Sequence, residues 1–332
     1  MILMSILVCG GAGYIGSHCV YELIARGEDV IVVDNLQTGH KAALHPEAKF
    51  YEGDIRNYDF MDKVFKENNV EGVIHFAANS LVGESMHLPL KYYNNNVHGT
   101  EVLLQAMVDN DVKKIVFSST AAVYGEPETV PITETDKTEP TNTYGETKLA
   151  MEKMMKWADK AHGLRYIALR YFNVAGAHPN GLIGEDHTPE THLIPLILQV
   201  PLNKREKISL FGDDYDTKDG TCIRDYIHVK DLIDAHLLAF NKLRDGWQSD
   251  VFNLGSGSGF TVKEMVDAAR KVTGHSIPAE VCPRRAGDPA VLIASSDKAK
   301  KVLGWEPKYN NVEEIIASAW NFHETHVNGF EE

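Results

Sequence analysis

Seven residues, Gly10-Gly11-Ala12-Gly13-Tyr14-Ile15-Gly16, constrain this chain more than any other segment. They follow the apolar run Ile6–Cys9 and open a helical pattern over Tyr14–Arg26, with Gly10, Gly13 and Gly16 in GxxGxxG register. Glycines there permit a tight turn and let the backbone approach a pyrophosphate. The helix N-terminus adds free N–H groups and a positive dipole end. Three glycines alone would also serve a plain tight turn. The context is more specific: a strand before, a helix after, and an acid at the end of the next strand, Asp34 in Val32-Val33-Asp34-Asn35. A carboxylate there accepts hydrogen bonds from the adenosine ribose hydroxyls and repels a 2′-phosphate. The nearest following base is Lys41, so NAD is favoured over NADP. The plainer reading of Asp34 is an exposed turn aspartate.

Short β-branched runs alternate with helical patterns through the first half. Ile6–Cys9, Asp29–Val33, Lys49–Tyr51, Gly72–Phe76, Lys114–Ser118 and Arg165–Arg170 read as strands; Tyr14–Arg26, Asp59–Asn68, Pro89–Asp109 and Tyr144–His162 read as helices. Continuous apolar strands between helices imply βαβ units and a parallel sheet covered on both faces. Right-handed crossovers then give an α/β fold with a doubly wound parallel sheet. After Asn173–Ala177 the rhythm breaks, and Pro, Gly, His and Asp become frequent. The expectation is a cofactor domain over 1–176 and a smaller mixed α/β substrate-binding domain over 177–332. That boundary is soft, because Val251–Gly255 is strand-like and could rejoin the first sheet.

The 332 residues, 43% hydrophobic, can bury a real core. The apolar start, Met1–Val8, has no basic n-region and runs straight into the glycine motif, so it reads as a first strand rather than a signal peptide. No apolar run approaches the roughly 18–20 residues of a membrane span. Cys9, Cys19, Cys222 and Cys282 form no CxxC pair, which fits a reducing cytoplasm. A net charge of −14 argues against nucleic acid or an anionic membrane as partner. Among fifteen histidines no HExxH or His/Cys cluster has site-forming spacing, so no metal is assigned. His323 and His326 could pick up a stray ion, although a solvated face is the plainer reading.

Tyr144-Gly145-Glu146-Thr147-Lys148 is a YxxxK pattern at a helix start, and a spacing of four puts both side chains on one face. A free tyrosine, with a pKa near ~10, is a poor base at neutral pH. A nearby ammonium and a positive nicotinamide ring both favour the phenolate. Thr120 ends the strand-like Phe117–Thr120, where its hydroxyl could bond a reacting oxygen. The trio suits removal of a proton from an alcohol as hydride leaves its carbon. Most Tyr/Lys pairs at this spacing are only a solvated helix face. The order of glycine loop, Asp34, Thr120, Tyr144 and Lys148 along one sheet gives the pattern its weight.

These motifs resemble the extended short-chain dehydrogenase/reductase family and, within it, the 4-epimerases acting on UDP-glucose and UDP-galactose. The resemblance spans nearly the whole chain: Gly10–Gly16, Asp34-Asn35, Asp54-Ile55, His75–Ala78, Val82–Ser85, Asn95–Val97, Ser118–Gly125, Tyr144–Lys148, Tyr171–Asn173, Gly220–His228 and Arg284–Asp288. It implies a Rossmann-type domain with Tyr144, Lys148 and Thr120 as catalytic residues and NAD as cofactor. Tyr14, Ile15 and Asn35 would join the glycines and Asp34 around the dinucleotide. Asp54 and Ile55 would meet the adenine, Phe76 and Ala77 the middle of the cofactor, and Asn96 and Tyr171 other parts of it. Phe76 and Ile55 also read as strand core, and Asn96 as a residue that satisfies backbone groups.

For the UDP-sugar, the resemblance implies Arg224 and Arg285 on the diphosphate, helped by Asn173. Guanidinium groups suit that task because they offer several fixed donors. Asp288 would take a uridine ribose hydroxyl, Phe211 would lie near the uracil, and His192 and Leu193 would border the phosphates. Leu292, four residues after Asp288, would border the hexose. A tyrosine there narrows the pocket in the family, whereas a smaller residue admits a 2-acetamido group, so UDP-N-acetylhexosamines become possible substrates. Leu292 also reads as a plain core leucine.

Two positions depart from the family pattern: Ser80, where some members carry lysine, with Asn79 or backbone as substitute, and His192, where asparagine is frequent. A capping or packing role suits His192 about as well. The implied reaction is interconversion of UDP-galactose and UDP-glucose by transient oxidation at C4. The nearest rival is a nucleotide-sugar dehydratase or decarboxylase of the same fold. In such dehydratases an Asp-Glu pair follows the threonine, but here Ala121-Ala122 stands there. A non-catalytic dinucleotide sensor is the rival from another class. Apolar residues on the 89–109 and 144–162 helices, among them Val97, Leu104, Met107, Met151, Met154 and Met155, fit burial in the domain and, by resemblance, a four-helix homodimer contact.

Overall fold

The computed structural model describes residues 4–285 and 288–331. Met1–Leu3 of the expected first strand, Ala286 and Gly287 of the Arg284–Asp288 motif, and Glu332 lie outside that set. Six strands follow the expected runs to within two residues: β1 (Ser5–Cys9), β2 (Asp29–Asp34), β3 (Lys49–Glu52), β4 (Val70–His75), β5 (Lys114–Ser118) and β6 (Arg165–Arg170). Between them lie α1 (Tyr14–Ala25), α2 (Tyr58–Glu67), α3 (Val82–His87), α4 (Pro89–Tyr92), α5 (Gly99–Asp109) and α6 (Thr143–His162). The sheet runs β3-β2-β1-β4-β5-β6 and is completed by the strand Asp250–Asn253 beside β6. Every pairing in it is parallel.

Successive side chains of a strand point to opposite faces, and β1 divides accordingly. Ile6 and Val8 enter one core, Leu7 and Cys9 the other. The first core is closed by Cys19, Val20 and Leu23 of α1 and by Leu232, Ile233 and Phe240 of the helix Val229–Arg244. The second is closed by Met61, Val64 and Phe65 of α2, Leu103, Leu104 and Met107 of α5, and Met151 and Met155 of α6. Leu104, Met107, Met151 and Met155 are thus turned into the protein. Leu90, Tyr93 and Trp157 are the large apolar side chains exposed on the same helical segments.

The expected helix Pro89–Asp109 is not continuous. A π-helical turn, Tyr93–His98, separates α4 from α5. Periodicity alone carries no sign of one extra residue per turn. A third core, including Ile194, Leu198, Ile208, Met265, Ile315 and Ile316, holds the later part together. Small sheets join Asn173–Ala175 to Tyr226–His228, Ile208–Phe211 to Ala279–Cys282, and Ile223–Arg224 to both Phe260–Thr261 and Val291–Leu292.

Candidate active site

The order of the sheet reverses between β1 and β4: from β1 the chain moves to β2 on one side, and from β3 it returns to β4 on the other. Ligands of doubly wound folds sit at such a switch point, beyond the carboxyl ends of the strands. The glycine loop leaves β1 there, and Phe76-Ala77 leaves β4. Gly10 has φ +83°, and a Cβ on it would stand 2.6 Å from the backbone nitrogen of Ala77. A Cβ on Gly16 would meet the carbonyl oxygen of Gly10 at 2.0 Å, so helix α1 packs directly onto the turn. A Cβ on Gly13 would meet that oxygen only at 3.5 Å. Gly13 is the N-cap of α1, and no side chain caps it. The protein itself leaves Gly13 room, and a small residue beside an uncapped helix start is what a pyrophosphate needs.

Asp34 ends β2, nearly buried. One carboxylate oxygen accepts from Ala12 N–H at 3.0 Å and the other from Leu36 N–H at 2.8 Å. Burial raises its pKa, and those N–H groups pull it back. Asn35 donates to Asp54 at 3.3 Å, and Asp54 accepts from Nε of Arg56 at 2.9 Å. The Arg56 hydrogen bond holds the Asp54 carboxyl down at about 2. Ile55 and Ala77 pack in or against the second core; Ile15 and Phe76 pack against the first. Tyr14 turns away from the loop and donates to the Gly176 carbonyl at 2.6 Å. Asn96, buried in the π turn, donates to the Asn79 carbonyl at 3.0 Å and Thr147 Oγ1 at 3.1 Å, and accepts from Asn79 N–H at 2.8 Å. It pins the backbone beside Ser80, which is itself exposed.

Helix α6 starts where Asn142 accepts from Gly145 N–H at 2.8 Å, and that cap holds Tyr144 in the first turn. Ser85 of α3 accepts from Tyr144 N–H at 3.1 Å. Lys148 lies one turn on, buried, and donates to the Ser118 carbonyl at 2.8 Å, with Nζ 5.8 Å from the Tyr144 ring centre. Thr120 follows β5, its Oγ1 accepting from Ala122 N–H at 3.1 Å. Burial pushes Tyr144 up to about 12, and its hydrogen bond with Thr120 works the other way. Burial pushes Lys148 down to about 7, opposed by the charge of Glu152. The hydroxyls of Ser118 and Tyr171 bond one another, and burial raises Tyr171. Thr120, Tyr144 and Lys148 therefore converge beside the switch point.

Sequence motifs missed the groups behind them. Glu152 and Arg170 form a buried pair at 2.5 Å. Ser119 donates to Glu152 at 2.6 Å, and Tyr124 bridges Arg170 and Asn253 at 2.8 and 2.7 Å. The i, i+4 spacing of Lys148 and Glu152 was the one available signal. Asp225 was also passed over, although it stands inside the quoted run Gly220–His228. It accepts from Ser256 N–H at 2.7 Å and Ala294 N–H at 3.0 Å, while its carbonyl accepts from Asn173 Nδ2 at 3.0 Å.

The expected sugar-nucleotide residues lie on the later part of the chain, some of them paired with one another. Arg224 and Asp288, assigned separately to phosphate and ribose, are ion-paired to each other. His192 directs Nδ1 at Glu185 and Glu190, at 2.9 and 3.1 Å. Arg285 lies over the Phe211 ring, 4.0 Å from its centre. Leu193 packs partly buried against the third core. Leu292 sits in register with Arg224 and packs against a small core made of Ala121, Val123, Tyr124, Ile132 and Leu149, which borders the catalytic candidates. The absence of converging histidines expected from spacing does not hold: Glu185, His187, Glu190 and His192 bring ligand-type atoms within 4.8 Å of one another. A folded-back loop does this, with none of the helical spacing that a motif search detects.

Residues 6–255 match the NAD dependent epimerase/dehydratase family. A UDP-glucose 4-epimerase of Halalkalibacterium halodurans is 61% identical, covering 98% of each chain. A crystal structure of a UDP-glucose 4-epimerase superposes with TM-score 0.98 at 63% identity, over 99% of this chain and 100% of that one. The Bifidobacterium longum UDP-glucose 4-epimerase, solved with NAD+ and UDP, superposes with TM-score 0.92 at 42% identity, over 98% and 100%. With the glycine cradle and acid at the switch point and full-length likeness to these enzymes, the chain belongs to the NAD-dependent epimerase/dehydratase family.

Proposed function

We propose that this protein interconverts UDP-galactose and UDP-glucose by transient oxidation at C4 of the hexose. The observation that carries the reading is the meeting of Thr120, Tyr144 and Lys148 beside the switch point. NAD bound in this cleft would supply hydride-acceptor and hydride-donor chemistry at C4. Tyr144 takes the proton of the C4 hydroxyl, Thr120 hydrogen-bonds the reacting oxygen, and Lys148 lends positive charge to the phenolate. Gly10, Gly13 and Gly16 with Tyr14 and Ile15 cradle the dinucleotide; Asp34 and Asn35 take its adenosine end. Asp54, Ile55, Phe76, Ala77, Asn96 and Tyr171 shape the remainder of that cleft.

Residues 177–332 supply the nucleotide-sugar side, through Asn173 at the boundary and His192, Leu193, Phe211, Arg224, Arg285, Asp288 and Leu292 beyond it. Arg224 would leave Asp288 for the diphosphate as Asp288 turns to the ribose. A firm hold on UDP with few ties to the hexose lets the 4-keto sugar turn over between proton and hydride transfers. Exposed Leu90, Tyr93 and Trp157 support a homodimer through the α4–α6 surface, and four unpaired cysteines fit a reducing cytoplasm. Among the described residues no helix is long and apolar enough to cross a membrane.

Purified protein given UDP-galactose and no added NAD should form UDP-glucose and release NAD on denaturation. A dehydrated or decarboxylated sugar would favour the rival chemistry, and unchanged UDP-galactose with NAD bound would favour a sensor. Release of NADP would overturn the role given to Asp34.

A further inference from the structure

We propose that Glu185, His187, Glu190 and His192 form a structural site for a zinc-like divalent cation, separate from the catalytic residues. His192 Nδ1 lies 2.9 Å from Glu185 Oε1 and 3.1 Å from Glu190 Oε1. His187 Nδ1 lies 3.4 Å from the same Glu185 oxygen and 3.6 Å from Glu190 Oε2. Tetrahedral zinc with bonds of 2.0–2.2 Å to nitrogen and oxygen places its ligand atoms roughly 3.3–3.5 Å apart. The four nitrogen–oxygen distances straddle that edge length, and one ligand atom from each of the four residues lies within 4.8 Å of the others.

A second observation points inward to the same spot. His187 Nδ1 is buried and has no hydrogen-bond partner. A buried ring nitrogen aimed at two carboxylates, too far for a good hydrogen bond, is costly unless something lies between them. A divalent cation would displace the imidazole protons, and the two neutral imidazoles and two carboxylates left would carry a charge of −2, which the cation cancels. Imidazole nitrogen favours zinc and its neighbours in the transition series over magnesium or calcium. The ligands are also held from behind. Glu190 Oε1 accepts from the N–H groups of Thr191 and His192, both at 2.7 Å, and such outer contacts orient first ligands. A cavity of about 240 Å³, lined in part by Glu185, His187, Glu190 and His323, gives the ion a way in.

The site's place gives it a task. His192 is the N-cap of the helix Leu193–Leu198. His187 stands edge-on to Tyr14 of the glycine loop, with ring centres 6.4 Å apart. A cation would tie the start of that helix to the loop that cradles the dinucleotide, acting as a staple with no part in proton or hydride transfer.

Untagged protein stripped with chelator, dialysed and given one equivalent of Zn²⁺ should retain one zinc per chain after desalting. Cobalt in its place should give the intense visible bands of a tetrahedral site, discharged by added zinc. Zinc should raise the thermal midpoint of the stripped protein. His187→Gln and Glu190→Gln should each weaken zinc binding by at least roughly 100-fold, beyond the 10–100-fold typical of outer contacts, whereas His326→Gln should bind as before. No zinc retained, cobalt bands of an octahedral ion, or retention unchanged in His187→Gln would each overturn the proposal. So would loss of zinc from His326→Gln alone, which would move the ion to the C-terminal helix. The cobalt spectrum needs only the unsubstituted protein, so a variant that fails to fold leaves the proposal open to refutation.

Discussion

Tyr144 is held as a neutral phenol by the protein alone, because burial pushes it up to about 12 and only the Thr120 hydrogen bond opposes that. Its reactivity therefore depends on positive charge arriving nearby, from Lys148 and from the cofactor ring. Tyr144→Phe keeps the ring and removes the base, so turnover should fall roughly 10²–10⁴-fold, while UDP affinity measured by calorimetry stays nearly unchanged. Leu292 is the residue to which the resemblance assigns substrate range. It packs against the small core that includes the segment after Thr120, and with the hexose placed as proposed, a tyrosine there would take up space beside it. The expected outcome is that the parent enzyme also epimerises UDP-N-acetylglucosamine, and that Leu292→Tyr suppresses this while sparing UDP-galactose. Equal loss of both activities would show that Leu292 does not set pocket size. At this scale the sequence was most legible where backbone geometry demands a residue type, as at Gly10 and Gly16. It was least legible where a partner comes from far along the chain. Ser85 beneath Tyr144 and Asp288 beside Arg224 stand in no short motif with their partners.

Among elements, α6 joins the chemistry to the rest of the sheet. Lys148 faces the site from its first turns, and Glu152, one turn on, is locked to Arg170 of β6 and to Ser119. Both members of the pair are nearly buried. Arg170→Ala would leave the Glu152 charge without compensation, so equilibrium denaturation should show a loss of about 3–5 kcal/mol. Replacing both by apolar residues, as in Glu152→Leu with Arg170→Met, should recover most of that stability and still lower activity, because Ser119 and Lys148 lose a neighbour. Elements of regular period were readable from pattern: the six strands and helices α1, α2 and α6 fell within two residues of expectation. The interruption at Tyr93–His98 was not, since a π turn keeps the composition of its helix and changes only its winding. Helix α3 was also missed, being six residues with one buried side chain, too short to show an amphipathic period.

For the whole molecule, pH acts through buried histidines. His18, His75 and His228 are held down to about 3 and His236 to about 4, first by burial. Below their unfolded pKa of ~6.5, the unfolded chain takes up protons that the folded one refuses. Their contribution is therefore complete above that pH and is lost as pH falls toward 3–4. His187 and His192 behave oppositely. Burial would lower them, but Glu185 and Glu190 outweigh it and raise them to about 9 and about 10. Their contribution is complete below about pH 6.5 and is lost as pH rises from there toward those values. Thermal midpoints of chelator-treated protein should thus peak at about pH 6.5 and fall on both sides; a midpoint unchanged down to pH 4 would contradict the neutral state of the four buried rings. The doubly wound class was legible from alternating strands and helices alone. That the helix Val229–Arg244 closes the first core was not, because an amphipathic helix does not announce which sheet it covers.

That late return of the chain has a consequence for synthesis. The edge of β6 is paired by Asp250–Asn253, and the part of the first core not closed by α1 is closed largely by the helix Val229–Arg244. At ~5–20 residues per second, the roughly 80 residues between β6 and the end of that strand take about 4–16 seconds to emerge from a ribosome. For that interval the nascent chain presents a ready template of unpaired backbone and bare apolar surface. Folding of the cofactor domain cannot finish ahead of translation, and a fragment stopped at residue 176 should aggregate where the full chain stays in solution.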